Sequence, residues 1–333
     1  MPGPTPRGTS RTTRAVSLMG APPPRPVAAP SRAWGSGLLY LGIVVAWGLN
    51  YVFVRWGLLD SGPVWLAALR ALVGGAGVAA FVLLTHRAGR LSPAERRDAV
   101  LIGIPTTGIF FGLWFYAAGS VPAGQAAVII YTYPLWVALF SAAAFRTGVR
   151  ASEAVAIALG FAGVVLVSEP WVRSAGAPPP LAVLELLVAA VAWAVGTVAF
   201  KARFTGPAVH EANLYQLLGG SVLLVLAGAA FEPHGVSGSP QLVGVLIWLG
   251  LVGTAFGYAA WYTLLDRYPA VTVSSYLFLV PVVALAASIA LLGETLASVQ
   301  VAGVACVVVS IYVTARTQAT GGRVDGPPRS RDA

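Results

Sequence analysis

The chain has 333 residues, of which 57% are hydrophobic and only 10% charged, and its mean hydropathy is +0.78. Soluble proteins carry about 25% charged residues, so lipid must be the solvent for most of this chain. A membrane-crossing helix takes roughly 20 mostly apolar residues, which leaves no room for a large soluble catalytic domain. The net charge of +9 would point to nucleic acid only if the basic residues shared one folded face; they are dispersed over loops instead.

Residues 1–32 are rich in Pro and Arg and contain no apolar run, the composition of a disordered basic arm. They also lack the apolar stretch of a signal peptide. From Gly37 onward apolar segments follow closely and predict helices over 37–57, 63–85, 99–119, 123–145 and 151–168. A second set follows over 181–201, 210–231, 240–264, 270–292 and 298–315. Residues 317–333 read as a disordered cytoplasmic tail.

Basic residues in short loops stay on the cytoplasmic side of a membrane. With the N-terminus inside, 18 of the 21 Lys and Arg residues fall in inner segments, Arg55 and Arg173 fall outside, and Arg70 lies within a span. A single missed helix would scramble every later loop, so this split predicts ten transmembrane helices with both termini cytoplasmic. The 20 Arg against one Lys, together with abundant Ala, Gly and Pro, is a bias of GC-rich bacterial genomes and points to a bacterial inner membrane. The single cysteine, Cys306, sits in an apolar run, which excludes disulfides and cysteine-based metal sites.

The two halves resemble each other at an offset of 146 to 147 residues. Ala46-Trp47 matches Ala192-Trp193, and Arg55 matches Lys201. Trp114, Pro122-Ala123 and Pro134 recur as Trp261, Pro269-Ala270 and Pro281 with the same internal spacings, and Ala151-Ser152 answers Ala297-Ser298. Each half has five predicted spans, an odd number, so the second copy must be inverted. The expected organisation is a basic arm (1–32), a first five-helix repeat (37–168), a second, inverted five-helix repeat (181–316) and a tail (317–333). Inverted repeats of this kind are typical of secondary transporters, whose site lies near the midplane between the repeats.

Several features together resemble the EamA branch of the drug/metabolite transporter superfamily. They are the paired halves, the Pro in the fourth and ninth spans, Leu69-Arg70-Ala71-Leu72 in the second span, and Leu292-Gly293-Glu294 before the tenth. The resemblance covers residues 37 to about 316 and implies export rather than uptake. In the first half Arg146-Thr147-Gly148 stands where the second half has Gly293-Glu294, which favours a loop or cap role for Glu294.

Ionisable residues deep in lipid are functional candidates by default. Arg70 either binds a carboxylate or phosphate through its planar fork or serves structurally, snorkelling outward or bonding freed carbonyls of a neighbouring helix. Gln216 stands at nearly the equivalent place in the seventh span. Asn50, one turn after Trp47, is a candidate substrate contact or a helix-to-helix hydrogen bond. Tyr131 in the fourth span and Ser275 and Tyr276 in the ninth precede the interior prolines Pro134 and Pro281. Each of these prolines removes a helical hydrogen bond and predicts a kink, freeing the carbonyls of Ile130 and Leu277. Trp47, Trp114, Trp193, Tyr258 and Trp261 complete an expected aromatic pocket, suited to amphipathic organic solutes.

Catalysis lacks a residue set: His210-Glu211 is followed by Leu214 where a zinc protease needs a second His. No cofactor or metal is expected. The partners expected are a small organic substrate and the lipid bilayer, without nucleic acid, and a homodimer is left open. The reading is a secondary transporter for a small organic metabolite such as an amino acid, working by alternating access; the alternative is an uncoupled facilitator or pore. With Glu185 the only carboxylate entering a span, the coupling ion stays open.

Overall fold

The computed structural model of the protein describes residues 30–85, 91–144, 151–168, 178–233, 235–275, 277 and 279–321. The described residues are helical throughout, apart from turns and an isolated bridge between Ser61 and Val236. The first part comprises α1 (Pro30–Gly57), α2 (Pro63–Leu84), α3 (Pro93–Gly103), α4 (Phe110–Ala117), α5 (Ala123–Ile130), α6 (Tyr133–Ala144) and α7 (Ala151–Ser168). The second comprises α8 (Pro180–Arg203), α9 (Val209–Phe231), α10 (Pro240–Ile247), α11 (Gly257–Arg267), α12 (Ala270–Ser275), α13 (Leu279–Leu292) and α14 (Ser298–Gly321). Two π-helical segments, Ile104–Ile109 and Trp248–Phe256, join α3 to α4 and α10 to α11. Among the described residues seven helical runs are long and apolar enough to cross a membrane. The expected arm and tail lie largely outside the described residues.

Local sequence sets the helix starts. Pro63, Pro93, Pro180 and Pro240 stand in first turns, where a missing N–H costs nothing. The third run begins at Pro93 rather than at the expected 99. Ser92 and Glu95 form a reciprocal capping box there, and this polar first turn extends the helix beyond its apolar part. The fourth run is not one kinked helix. It stops at Ile130, turns through Tyr131 and Thr132, and restarts at Tyr133, so that Pro134 stands in the first turn of α6. Pro281 likewise lies near the start of α13.

Apolar side chains gain nothing by leaving lipid for protein, so helix association depends on close packing of small residues. The crossing of α3 and its π-helical extension over α9 is of this kind. A Cβ on Gly103 would overlap the carbonyl oxygen of Gln216, and one on Gly220 would lie 2.7 Å from the carbonyl oxygen of Gly103. Elsewhere α1 packs against α13, α11 and the second π segment, and α8 packs against α4, α5, α6 and the first π segment.

Polar clamps finish the helix ends. The Glu232 carboxylate, just past α9, accepts hydrogen bonds from the Val64 and Trp65 amides at the start of α2, at 3.0 to 3.1 Å. It serves there as an anion on a helix N-terminus. Glu232→Gln is expected to cost about 1 kcal/mol, measurable as a fall of a few degrees in melting temperature in detergent. An unchanged melting temperature would show the clamp to be dispensable.

Candidate functional site

The helical period places Trp47, Asn50, Tyr51 and Val54 on one buried face of α1. Around that face α2 contributes Arg70, the third run Phe110, Phe111 and Trp114, the α5–α6 turn Tyr131, α8 Trp193, and α11 Tyr258. With Trp47, Asn50 and Tyr51 these residues enclose one cavity. Its volume is about 20 Å³, room for about one water, and every lining residue is buried. The site is therefore occluded.

Its walls are aromatic. Trp193 stacks on Tyr133 at 3.8 Å and on Phe110 at 4.9 Å, and meets Trp47 edge-on at 5.5 Å. Tyr51 lies 4.8 Å from Trp114. Trp47 is held in place by donating its indole N–H to the carbonyl of Gly253 in the second π segment, at 2.9 Å.

Arg70 is the one charged group in the cavity wall and is 1% exposed. Its Nε donates to the Thr254 hydroxyl at 2.9 Å, and its Cζ lies 4.3 Å from the centre of the Phe111 ring and 5.0 Å from that of Trp114. Such rings stabilise a cation through their electron-rich faces, but they do not replace a hydrogen-bonded anion. Among the described residues Arg70 Nη1 has no hydrogen-bond acceptor and no carboxylate forms an ion pair with this guanidinium. Asn50 Oδ1, the Tyr258 hydroxyl and Trp114 Nε1 are also buried without partners among the described residues. A free cationic donor, a free amide oxygen and a free hydroxyl thus converge on one aromatic box.

Of the expected candidates, Trp47, Asn50, Arg70, Trp114, Tyr131, Trp193 and Tyr258 are brought together. Trp261 backs the box, 5.6 Å from Trp47 and 6.1 Å from Trp193. Gln216 is elsewhere: it bonds Thr106, Asn213 and Tyr262 at the crossing of α9 with α11 and the first π segment. Tyr276 lies outside the described residues, as does the side chain of Ser275. Sequence reasoning missed Tyr51, Phe110, Phe111 and Thr254. The first was signalled by its position one turn from Trp47.

The contacts of Arg70 and Gln216 are alike in the two halves, with partners 148 residues apart. Arg70 reaches Thr254 in the π segment of the second half, and Gln216 reaches Thr106 in the π segment of the first. The profile of the EamA-like transporter family matches the chain twice, over residues 34–169 and 180–316. The chain belongs to the EamA-like transporter family. It is 30% identical over 289 residues to a probable amino-acid metabolite efflux pump of Escherichia coli, covering 83% of this chain and 93% of that protein. It is 30% identical to the inner membrane transporter YedA of the same organism (78% and 83% covered) and 29% identical to the transporter YvbV of Bacillus subtilis (83% and 90%). A solved crystal structure shares the fold with a TM-score of 0.62 at 19% identity, covering 85% of this chain and 98% of that one. This EamA-like protein is therefore a multi-pass transporter of the bacterial inner membrane.

Proposed function

We propose that this EamA-like transporter exports a small organic metabolite, an amino acid or a related amphipathic compound bearing a carboxylate, by alternating access between two inverted five-helix halves. The observation that carries this reading is Arg70, a buried cation with an unused Nη1 facing an aromatic cavity that also offers Asn50 Oδ1 and the Tyr258 hydroxyl. A carboxylate answers the guanidinium, an ammonium or other donor answers Asn50, and an apolar group answers the rings. The two separate family matches support the division into halves. The 18 to 2 distribution of basic residues supports ten spans with cytoplasmic termini. Export and the amino-acid class follow the family and the name of the E. coli relative. An occluded cavity favours a carrier over an uncoupled pore, because a pore needs a continuous path.

The test is flux of labelled amino acids by purified protein in liposomes. Saturable uptake stimulated by unlabelled amino acid on the far side is expected; linear, non-saturating flux would indicate a pore and overturn the reading. Asn50→Ala is expected to reduce this exchange at least tenfold while the protein still inserts and purifies as a single species. Retained flux would remove Asn50 from the site.

A further inference from the structure

Side-chain bonds to helix ends join two packing groups at two places besides the cavity. One group is α1 with α11 and α13, the other is α8 with α4 and α6, and α5 packs against both. At one end, Arg55 near the end of α1 donates to the carbonyls of Ala118 (2.7 Å) and Gly119 (3.2 Å), just past the C-terminus of α4. At the other end, Lys201 near the end of α8 donates to the carbonyls of Leu265 and Asp266 (3.3 Å to the latter) in the last turn of α11. Arg55 and Lys201 are repeat counterparts, and so are the carbonyls they hold, at offsets of 146 and 147. Each bond places a cation on the negative end of a helix, where the unpaired carbonyls collect. Each crosses from one packing group to the other.

The Arg55 end has a second hand. The Glu294 carboxylate, past the end of α13, accepts from the Ala123 and Gly124 amides at the start of α5, at 2.6 and 3.0 Å. The turn between α4 and α5 is therefore held by a cation on the helix that ends there and an anion on the helix that begins there. Both come from the group of α1 and α13. Residues 145–150, the stretch of the first half that corresponds to Glu294, contain no carboxylate. The second closure is instead supplemented nearer the centre by neutral hydroxyls, Ser274 donating to Tyr133 at 3.1 Å and Tyr133 to Thr197 at 3.1 Å.

We infer that Arg55 with Glu294, and Lys201, are the latches of two gates on opposite membrane faces, released in alternation as the Arg70 cavity opens to one side and then the other. In the structure both are closed, as the occluded cavity requires. Alternation follows from the geometry: separating the groups at one end breaks the bonds there while bringing the other ends together. The inference rests on the alternating-access reading. With the N-terminus cytoplasmic, Arg55 and Glu294 guard the outer face and Lys201 the inner.

The test reads exposure of the cavity rather than flux. In full-length protein with Cys306→Ser, Asn50→Cys serves as the reporter, and a membrane-impermeant maleimide is applied to whole cells or to inverted membrane vesicles. Arg55→Gln is expected to raise the labelling rate from the outside roughly tenfold, the scale of one charge-assisted hydrogen bond, and not from the inside. Lys201→Gln is expected to do the reverse. Glu294→Gln should shift exposure the same way as Arg55→Gln, which keeps the test sound if the Arg55 variant fails to insert. Arg55→Lys should restore much of the outer closure. Shifts toward the same side, or no shift in either variant, would overturn the latches. If labelling shifts as expected but protein with Asn50 intact exchanges no solute, the gates stand and the substrate reading falls. Exchange without any shift removes the gates and leaves the substrate reading standing.

Discussion

Arg70→Gln is expected to lower amino-acid exchange by about a hundredfold or more, the penalty for removing one partner of a buried charge pair. The substituted side chain is neutral and shorter, so the carboxylate entering the aromatic box would lose its only cationic partner in the cavity wall. Arg70→Lys is the sharper experiment. It keeps the charge but replaces a planar fork with a point. In the structure the fork divides its work, with Nε committed to Thr254 and Nη1 free toward the cavity. A lysine ammonium is not able to hold both directions with the same geometry, so Arg70→Lys should also be severely impaired. Near-normal exchange by the Lys variant would make Arg70 a structural cation and remove the central support for a carboxylate-bearing substrate.

The second large effect is on folding. Gly103→Ala is expected to prevent assembly, with little monodisperse protein recovered from membranes. Its Cβ would overlap the Gln216 carbonyl oxygen, and backbone does not yield as a flexible side chain does. Overpacking of ordinary side chains costs about 1–3 kcal/mol, and this site lies beyond that range because neither partner is free to turn aside. Gly112→Ala is the matched control. Its Cβ would meet only Leu224 Cδ2, at 3.4 Å, so near-normal recovery is expected. Equal recovery of the two variants would show that the crossing of α3 over α9 tolerates separation.

Much of this architecture is legible in the residues. Apolar runs locate the helices because lipid leaves a backbone few other ways to satisfy its hydrogen bonds. The start of the third run escapes hydropathy, which does not register a polar first turn, although Ser92-Pro93-Ala94-Glu95 carries the capping signal. In the cavity, residues that are unusual in lipid, such as Arg70, Asn50 and the tryptophans, are visible as candidates. Phe110 and Phe111 are not, since a phenylalanine facing a cavity and one facing lipid read alike. Gln216 misleads for a different reason. The repeat fixes the position of a backbone, but the side chain on it turns to whatever partners it finds, here Thr106 and Tyr262. The π segments leave no periodic trace, and their part in holding Trp47 and Arg70 emerges only from the Gly253 carbonyl and the Thr254 hydroxyl.

The contrast between Arg70 and Gln216 also bears on ancestry. A carrier built from two identical five-helix subunits would have to offer both arginines or neither. Joining the halves in one polypeptide frees each copy to diverge. Here the first bears Arg70, while Gln216 in the second is bonded into packing. On this view the fused gene gains more than a fixed partner: it can hold an odd number of charges, which symmetry denies to a homodimer.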